Sequence, residues 1–333
     1  MQPSKPHNIG VIGTGKIAGN AHLPSYAWGA NINVVALADK NPEVLKAQGE
    51  KWQVRHTFTD YRRLLEMPEV EVVDVAVNTD QHKAVVLDAL AHGKHVLCQK
   101  PLADNLNDAL ELVEAADKHG LILAVNQNAR WVPSYRRCGE LLREGAIGEP
   151  ILTIFEDHYW TEHHPYELER DWFLLLKNTI HKIDLLRSWF PEEPVGLFAQ
   201  TIKAAPHPAL GESVAVLHFS YGNGHQVNLI DDGASSSPGF RRILIHGTEG
   251  ALRLDEETLE SFKKVPGVRS NWQPIEVEGK RKPHAFYGVM AALLIALERG
   301  ELPEHHARDN LKSLQLVFAA YESAATGNSI KIS

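Results

Sequence analysis

Three short stretches carry residue types whose spacing could do chemistry: Gly13-Thr14-Gly15-Lys16-Ile17-Ala18, Gln99-Lys100-Pro101 and His181-Lys182-Ile183-Asp184. The first follows an apolar, β-branched run, Ile9 to Ile12, and has the Gly-x-Gly-x-x-Ala form of a dinucleotide-binding turn. Gly13 suits a tight strand-to-helix turn, and Gly15 lets backbone come close to a pyrophosphate. Ala18 leaves room for the new helix to pack on its strand. Backbone N–H groups near Lys16 and Ile17 then point at the phosphates. Lys100 comes directly after an apolar run and before a proline. An ammonium held there could hydrogen-bond an oxygen and stabilise alkoxide character. His181 and Asp184 share one face of a predicted helix, with Ile180 and Ile183 on another.

Positioning the first two stretches takes a parallel sheet. The spacing predicts a helix over 17–28, with Pro24 a kink, then a buried strand over 32–38 that ends in Asp39. A carboxylate there can accept hydrogen bonds from an adenine ribose diol and repels a 2′-phosphate, which favours NAD. Lys40 beside it could receive that phosphate, so NADP is not excluded. The turn Asp39 to Pro42 also reads as the cap of a helix over 43–51. Strands over 54–58, 72–77, 94–98 and 121–125 alternate with helices over 61–66, 82–92 and 106–119. That alternation means parallel strands with helices on both faces, and ligands bind outside the carboxyl ends of such strands. Gly13, Gly15, Lys16, Ile17, Asp39, Lys40, Asn78, Thr79, His82, Gln99, Lys100 and Asn126 are therefore the cofactor-binding candidates.

Further on, a helix over 135–144 precedes strands over 151–159, 197–203, 213–220, 226–231, 241–246 and 251–255. Runs of strands without intervening helices mean a largely antiparallel sheet. The expected fold is α/β, with a Rossmann parallel sheet over 1–126 and an α+β domain with an open antiparallel sheet over 127–333. The length of 333 residues suits two domains, and the composition, 44% hydrophobic and 23% charged, suits ample cores. A net charge of −8 argues against nucleic acid or anionic membrane as partners. Two cysteines, Cys98 and Cys138, fit a reducing compartment. Residues 1–7 carry no apolar signal core, so the cytoplasm is the expected location.

With the glycine turn, Gln99-Lys100-Pro101 and the preceding Gly93-Lys94-His95-Val96-Leu97 resemble the Gfo/Idh/MocA oxidoreductases, which carry Glu-Lys-Pro at this point. Asn78-Thr79-x-x-His82 is similar to that family's loop after the fourth strand. Asn126 to Pro133 is similar to its crossover into the second domain, and Leu311 to Ile332 to its last helix and strand. The resemblance covers nearly the whole chain. It implies an NAD(P)-dependent enzyme oxidising or reducing a secondary hydroxyl or ketone of a sugar, glycoside or cyclic polyol. In that reading Lys100 polarises the oxygen, and His181, matching the family's His-x-x-Asp, is the acid–base group. Imidazole titrates near working pH, which suits the task. The resemblance also implies a homodimer or homotetramer through the open sheet.

Two positions depart from the family pattern. Lys177 stands four residues before His181, where many relatives have aspartate, and Gln99 replaces the glutamate. Lys177 could hold an anionic group, could perturb Lys100, or could point away. Arg130, Trp131, Tyr159 and Trp172 join Lys100, Lys177 and His181 as substrate-binding candidates, with His158 and Trp160 nearby; such aromatics are more often core than ligand platforms. The adjacent pairs His163-His164 and His305-His306 lack metal-ligand spacing, and no metal is expected. The competing functions are an NAD-recycling enzyme on the same scaffold, either a glycosidase by transient oxidation or an aldose–aldose oxidoreductase, and a non-catalytic NAD(P)-binding regulator.

Overall fold

The structure, a computed structural model, describes every residue except 1, 162–167, 206, 265–266, 268–269 and 333. The chain divides into two units, Met1–Trp131 with Arg281–Lys312, and Val132–Lys280 with Ser313–Ser333.

In the first unit, β1 (His7–Ile12), β2 (Ile32–Ala38), β3 (His56–Phe58), β4 (Val72–Val75), β5 (His95–Cys98) and β6 (Leu123–Val125) form a parallel sheet. Its order is β3-β2-β1-β4-β5-β6, so the direction of winding reverses between β1 and β4. That reversal opens the crevice where doubly wound sheets take ligands. The crossovers hold α1 (Leu23–Trp28), α2 (Pro42–Trp52), α3 (Tyr61–Leu65), α4 (Thr79–Ala91) and α5 (Leu106–His119). Every residue of β4 is buried, as expected of a central parallel strand covered on both faces. Helix α4 starts three residues before the expected 82, and Asp80 in its first turn favours the early start.

In the second unit, α6 (Pro133–Arg143) leads into β7 (Pro150–His158), and a π-helical turn, Leu175–Thr179, runs into α7 (Ile180–Trp189). The sheet continues through β8 (Gly196–Ile202), β9 (Val214–Ser220), β10 (Gln226–Asp232), β11 (Phe240–Gly247), β12 (Gly250–Leu254), β13 (Leu259–Lys263), β14 (Gln273–Pro274) and β15 (Ile330–Lys331). Among the described residues its order is β14-β13-β12-β11-β7-β10-β9-β8-β15, and only β10 with β7 is parallel. Thr153, Phe155 and Asp157 of β7 are buried, while the alternate residues are only partly covered. The open face leaves Ile202, Val216 and Phe240 exposed. Strands β13 and β14 extend the sheet past the six expected strands; they are short and rich in polar residues, which blunts an edge.

The sequence reading assigns all of 127–333 to one domain, whereas the contacts return Arg281–Lys312 to the first unit. The returning segment holds α8 (Phe286–Arg299) and the start of α9 (Ala307–Thr326). Nine of the fourteen residues of α8 are buried. Its Tyr287 ring lies so close to Gly29 that a Cβ there would come within 1.9 Å of it. Tyr287 also donates its hydroxyl to the Ala30 carbonyl at 3.1 Å. An apolar run of this kind reads from sequence as buried helix without saying against which sheet.

Candidate active site

The glycine turn is built as its residue types require. Gly13 has φ +88°, and a Cβ there would lie 2.7 Å from the Ala76 backbone, so no other residue fits. Nothing lies within 4 Å of a Cβ built on Gly15, which leaves its backbone open to approach. Asp39 ties the turn to the end of β2. Its Oδ2 accepts the Thr14 N–H at 2.7 Å and the Thr14 hydroxyl at 3.1 Å, and its Oδ1 accepts the Asn41 N–H at 2.9 Å. Asn41, not Asp39, caps α2, through the Glu43 and Val44 N–H groups. Asp39 Oδ1, with one donor, keeps acceptor capacity for a ribose hydroxyl. A backbone cradle beside a fixed carboxylate fits a dinucleotide.

Around this turn Lys16, Ile17, Lys40 and Asn78 are exposed, and Thr79 is partly buried. His82 lies deeper. Its Nδ1 is 3.0 Å from the Pro101 carbonyl and its Nε2 is 3.1 Å from the Val77 carbonyl, joining the loop after β4 to the Lys100-Pro101 turn. Burial holds its pKa below the usual histidine value. Lys100 follows β5 and is partly buried, with its backbone N–H donated to Gln99 Oε1 at 2.9 Å. Gln99 and Asn126 are buried behind it.

Arg130 and Trp131 take core roles. The Arg130 guanidinium is buried and donates to the Glu304 carbonyl at 2.6 Å and to Asp309 Oδ2 at 2.8 Å. The Trp131 ring is 6% exposed and meets the His305 ring edge-on at 4.7 Å. Both side chains are spent on segments that return late in the sequence, a use that composition does not announce.

In the second unit His181 sits partly buried in the first turn of α7. The segment before it is continuous helix, so Thr179 does not cap α7. Its hydroxyl instead donates to Asp231 Oδ2 at 2.6 Å. Lys177 lies in the π-helical turn with its ammonium 5.2 Å from the Phe173 ring centre. Buried Glu212 holds the start of that turn, accepting the Leu175 N–H at 2.8 Å and the Tyr321 hydroxyl at 2.7 Å. Burial raises the Glu212 pKa. Asp184 is fully buried and accepts the Ser313 hydroxyl at 2.8 Å, whereas His181 stays partly open.

The residue after His181 is the unforeseen one. Lys182 is buried, with its ammonium 2.9 Å from Asp157 Oδ2 and 2.9 Å from Asp231 Oδ2. Arg241 adds a second cation at Asp157, 2.5 Å away, and pairs with Glu256. Burial disfavours the Lys182 ammonium, but Asp231, Tyr159 and Asp157 outweigh it and raise its pKa. Burial likewise opposes the Asp157 carboxylate, and Lys182 and Arg241 hold its pKa down. Tyr159 donates to Asp231 Oδ1 at 3.0 Å. Trp172 is 43% exposed and packs on Phe318 and Tyr321, and Trp160 is exposed beside His207. His158 faces the opposite side of the sheet from Asp157, stacked on Phe240. A lysine inside an otherwise apolar helical stripe was the available signal for the ion cluster.

His163 and His164 lie outside the described residues. Among the described residues no group of three or more His, Cys, Asp or Glu is arranged to hold a metal ion. No helix among them is long and apolar enough to cross a membrane.

The parallel sheet, the glycine turn and the carboxylate after β2 define a domain built to hold a dinucleotide. The family model described as "Oxidoreductase family, NAD-binding Rossmann fold" matches residues 7–127, and the "GFO/IDH/MocA C-terminal domain" matches 135–253. The chain belongs to the Gfo/Idh/MocA oxidoreductase family. It is 28% identical to D-apiose dehydrogenase of Paraburkholderia graminis, over 97% of this chain and 88% of that one. It is 27% identical to myo-inositol 2-dehydrogenase of Thermotoga maritima, over 97% and 98%. An oxidoreductase from Agrobacterium radiobacter, solved with NAD+, L-tartaric acid and magnesium, superposes with a TM-score of 0.88 at 26% identity, covering 98% of each chain.

Proposed function

We propose that this enzyme oxidises a secondary hydroxyl of a sugar, glycoside or cyclic polyol, or reduces the matching ketone. The nicotinamide of NAD, when bound, supplies the hydride acceptor or donor. Lys100 holds the substrate oxygen and stabilises the negative charge that grows on it as the C–H bond breaks. His181 takes the hydroxyl proton, or returns it in the reverse direction. Lys177 adds positive charge in the turn before His181 and favours substrates with an anionic group. The observation that carries the reading is Lys100 at the carboxyl end of β5, on the rim that also holds the glycine turn. The dehydrogenases similar to this chain act, by their names, on D-apiose and myo-inositol, which supports the substrate class. We also propose that the open sheet face, with Ile202, Val216 and Phe240, makes a homodimer or homotetramer, and that the enzyme works in the cytoplasm.

The test is a panel of sugars, sugar acids and polyols with NAD and NADP, read at the nicotinamide absorbance. Net NADH formation with a free sugar or polyol is the expected result. Conversion of a sugar pair without net NADH would replace the dehydrogenase with a recycling enzyme. NAD binding with no conversion of any kind would make the chain a regulator. Light scattering in solution tests the assembly, with a monomer as the adverse result.

A further inference from the structure

Behind Lys100, within the first unit, five side chains meet out of reach of solvent. His22, Asp74 and Asn126 are fully buried, Tyr26 is 1% exposed and Gln99 6%. His22 Nδ1 lies 2.7 Å from Asp74 Oδ2, and the Tyr26 hydroxyl lies 2.9 Å from the same oxygen. On the other side of the ring, Gln99 Nε2 lies 2.7 Å and Asn126 Nδ2 3.2 Å from His22 Nε2. Gln99 Oε1 receives the Lys100 N–H.

The direction of every bond in this chain follows from its outer end. A backbone N–H can only donate, so the Gln99 amide must turn its oxygen to Lys100 and its NH2 to His22. An amide NH2 also only donates, so His22 Nε2 must be bare and accept. The ring proton then sits on Nδ1, where Asp74 accepts it. Asn126 Nδ2 also reaches His22 Nε2, with the Asn126 oxygen 3.3 Å from Asn128 Nδ2. The other titratable groups around the ring stay neutral. Burial and Asp74 push the Tyr26 phenol and the Cys98 thiol well up. The remaining neighbour is the Phe286 ring, with its centre 5.4 Å away.

We propose that His22 is a positioning residue: the directed chain from the Lys100 N–H through Gln99 and His22 to Asp74 fixes the peptide that carries the ammonium. Glutamine at 99 is what keeps the ring in its single-proton, Nδ1–H form. A glutamate in the same place would offer Nε2 a carboxylate oxygen and draw a second proton onto the ring. The departure from Glu-Lys-Pro thus removes a titrating group from behind Lys100. This inference rests on the role proposed for Lys100.

The test begins with the whole protein labelled with ¹⁵N in its histidine rings. The expected spectrum shows His22 protonated at Nδ1 and bare at Nε2. Gln99→Glu is expected to give a doubly protonated ring, to add an ionisation to the kcat/KM profile, and to lower kcat about tenfold or more. His22→Leu is expected to lower kcat about 10- to 100-fold with the KM for NAD unchanged. His22→Gln, which can accept from Gln99 and donate to Asp74, is expected to restore most of the loss. An Nε2–H ring in the parent would overturn the hydrogen-bond chain. Parent-like turnover and pH profiles in both His22→Leu and Gln99→Glu would overturn the positioning role. If the parent converts no sugar, the role of Lys100 fails and positioning fails with it, while the ring spectrum still decides the hydrogen-bond chain.

Discussion

Each unit hides a polar cluster behind the side chain proposed to act, but the two clusters balance their charge differently. In the first unit Asp74 is the one carboxylate, and His22, Tyr26, Gln99 and Asn126 are donors and acceptors arranged in sequence. In the second, Lys182 sits between Asp157 and Asp231, with Arg241 and Glu256 completing an ion network. A directed hydrogen-bond chain fixes orientation through the geometry of its donors and acceptors, and it leaves Asp74 Oδ1 buried without a partner. A buried ion cluster gains attraction only by offsetting a heavy desolvation cost, so losing one member strands the rest. The contrast teaches that Lys100 is held by geometry, whereas the helix bearing His181 is held by charge balance.

The sharpest break would come from Lys100→Met. Loss of about 10³-fold in kcat/KM for the sugar or polyol is expected from steady-state rates. Next in size, Lys182→Met leaves Asp231 and Asp157 short of a buried cation. It is expected to destabilise the fold by about 3–5 kcal/mol in urea unfolding. A cost no greater than that of Gln99→Ala would erase the contrast between the clusters. Asp39→Ser removes the carboxylate that staples Thr14 and that we propose as the ribose acceptor. NAD affinity is expected to fall about tenfold, with NADP weakened less.

The smallest effect is a pH slope in which the two units should agree. Burial lowers the His225 pKa from 6.5 to about 4, and burial also lowers that of His82. Below 6.5 the unfolded chain takes up protons that the folded rings refuse, so stability is lost as pH falls from about 6.5 to 4. Glu212, raised by burial, has the opposite sign: it takes up a proton more readily when folded as the solution is acidified. The difference between parent and His225→Phe isolates the first contribution. A urea midpoint that falls equally in both over this range would show that His225 is protonated in the fold.

Much of the first unit is legible in the sequence because its signals are local. The strand over 32–38 and the helix over 106–119 have the expected bounds, set by apolar run and period. Asp39 reads from sequence as a carboxylate at the end of β2 on the rim of the glycine turn; its bond to Thr14 and the capping of the next helix by Asn41 are set by the fold. The site is less legible than the fold. Nothing near Asp74 in sequence says that it meets His22, 52 residues away, or that Gln99 reaches the same ring across 77. Lys182 and Asp231 meet across 49 residues.

The sequence by itself determined the family, the dinucleotide turn, the parallel and antiparallel sheets, and the presence of Lys100 and His181 as candidates. These depend on periodicity and on residues adjacent along the chain. Tertiary structure alone decided that Arg281–Lys312 returns to the first unit, that Arg130 and Trp131 are core, and which buried charges are paired. The reason is physical: desolvation and hydrogen-bond direction depend on which groups share a space, and that space forms only when distant segments close around it.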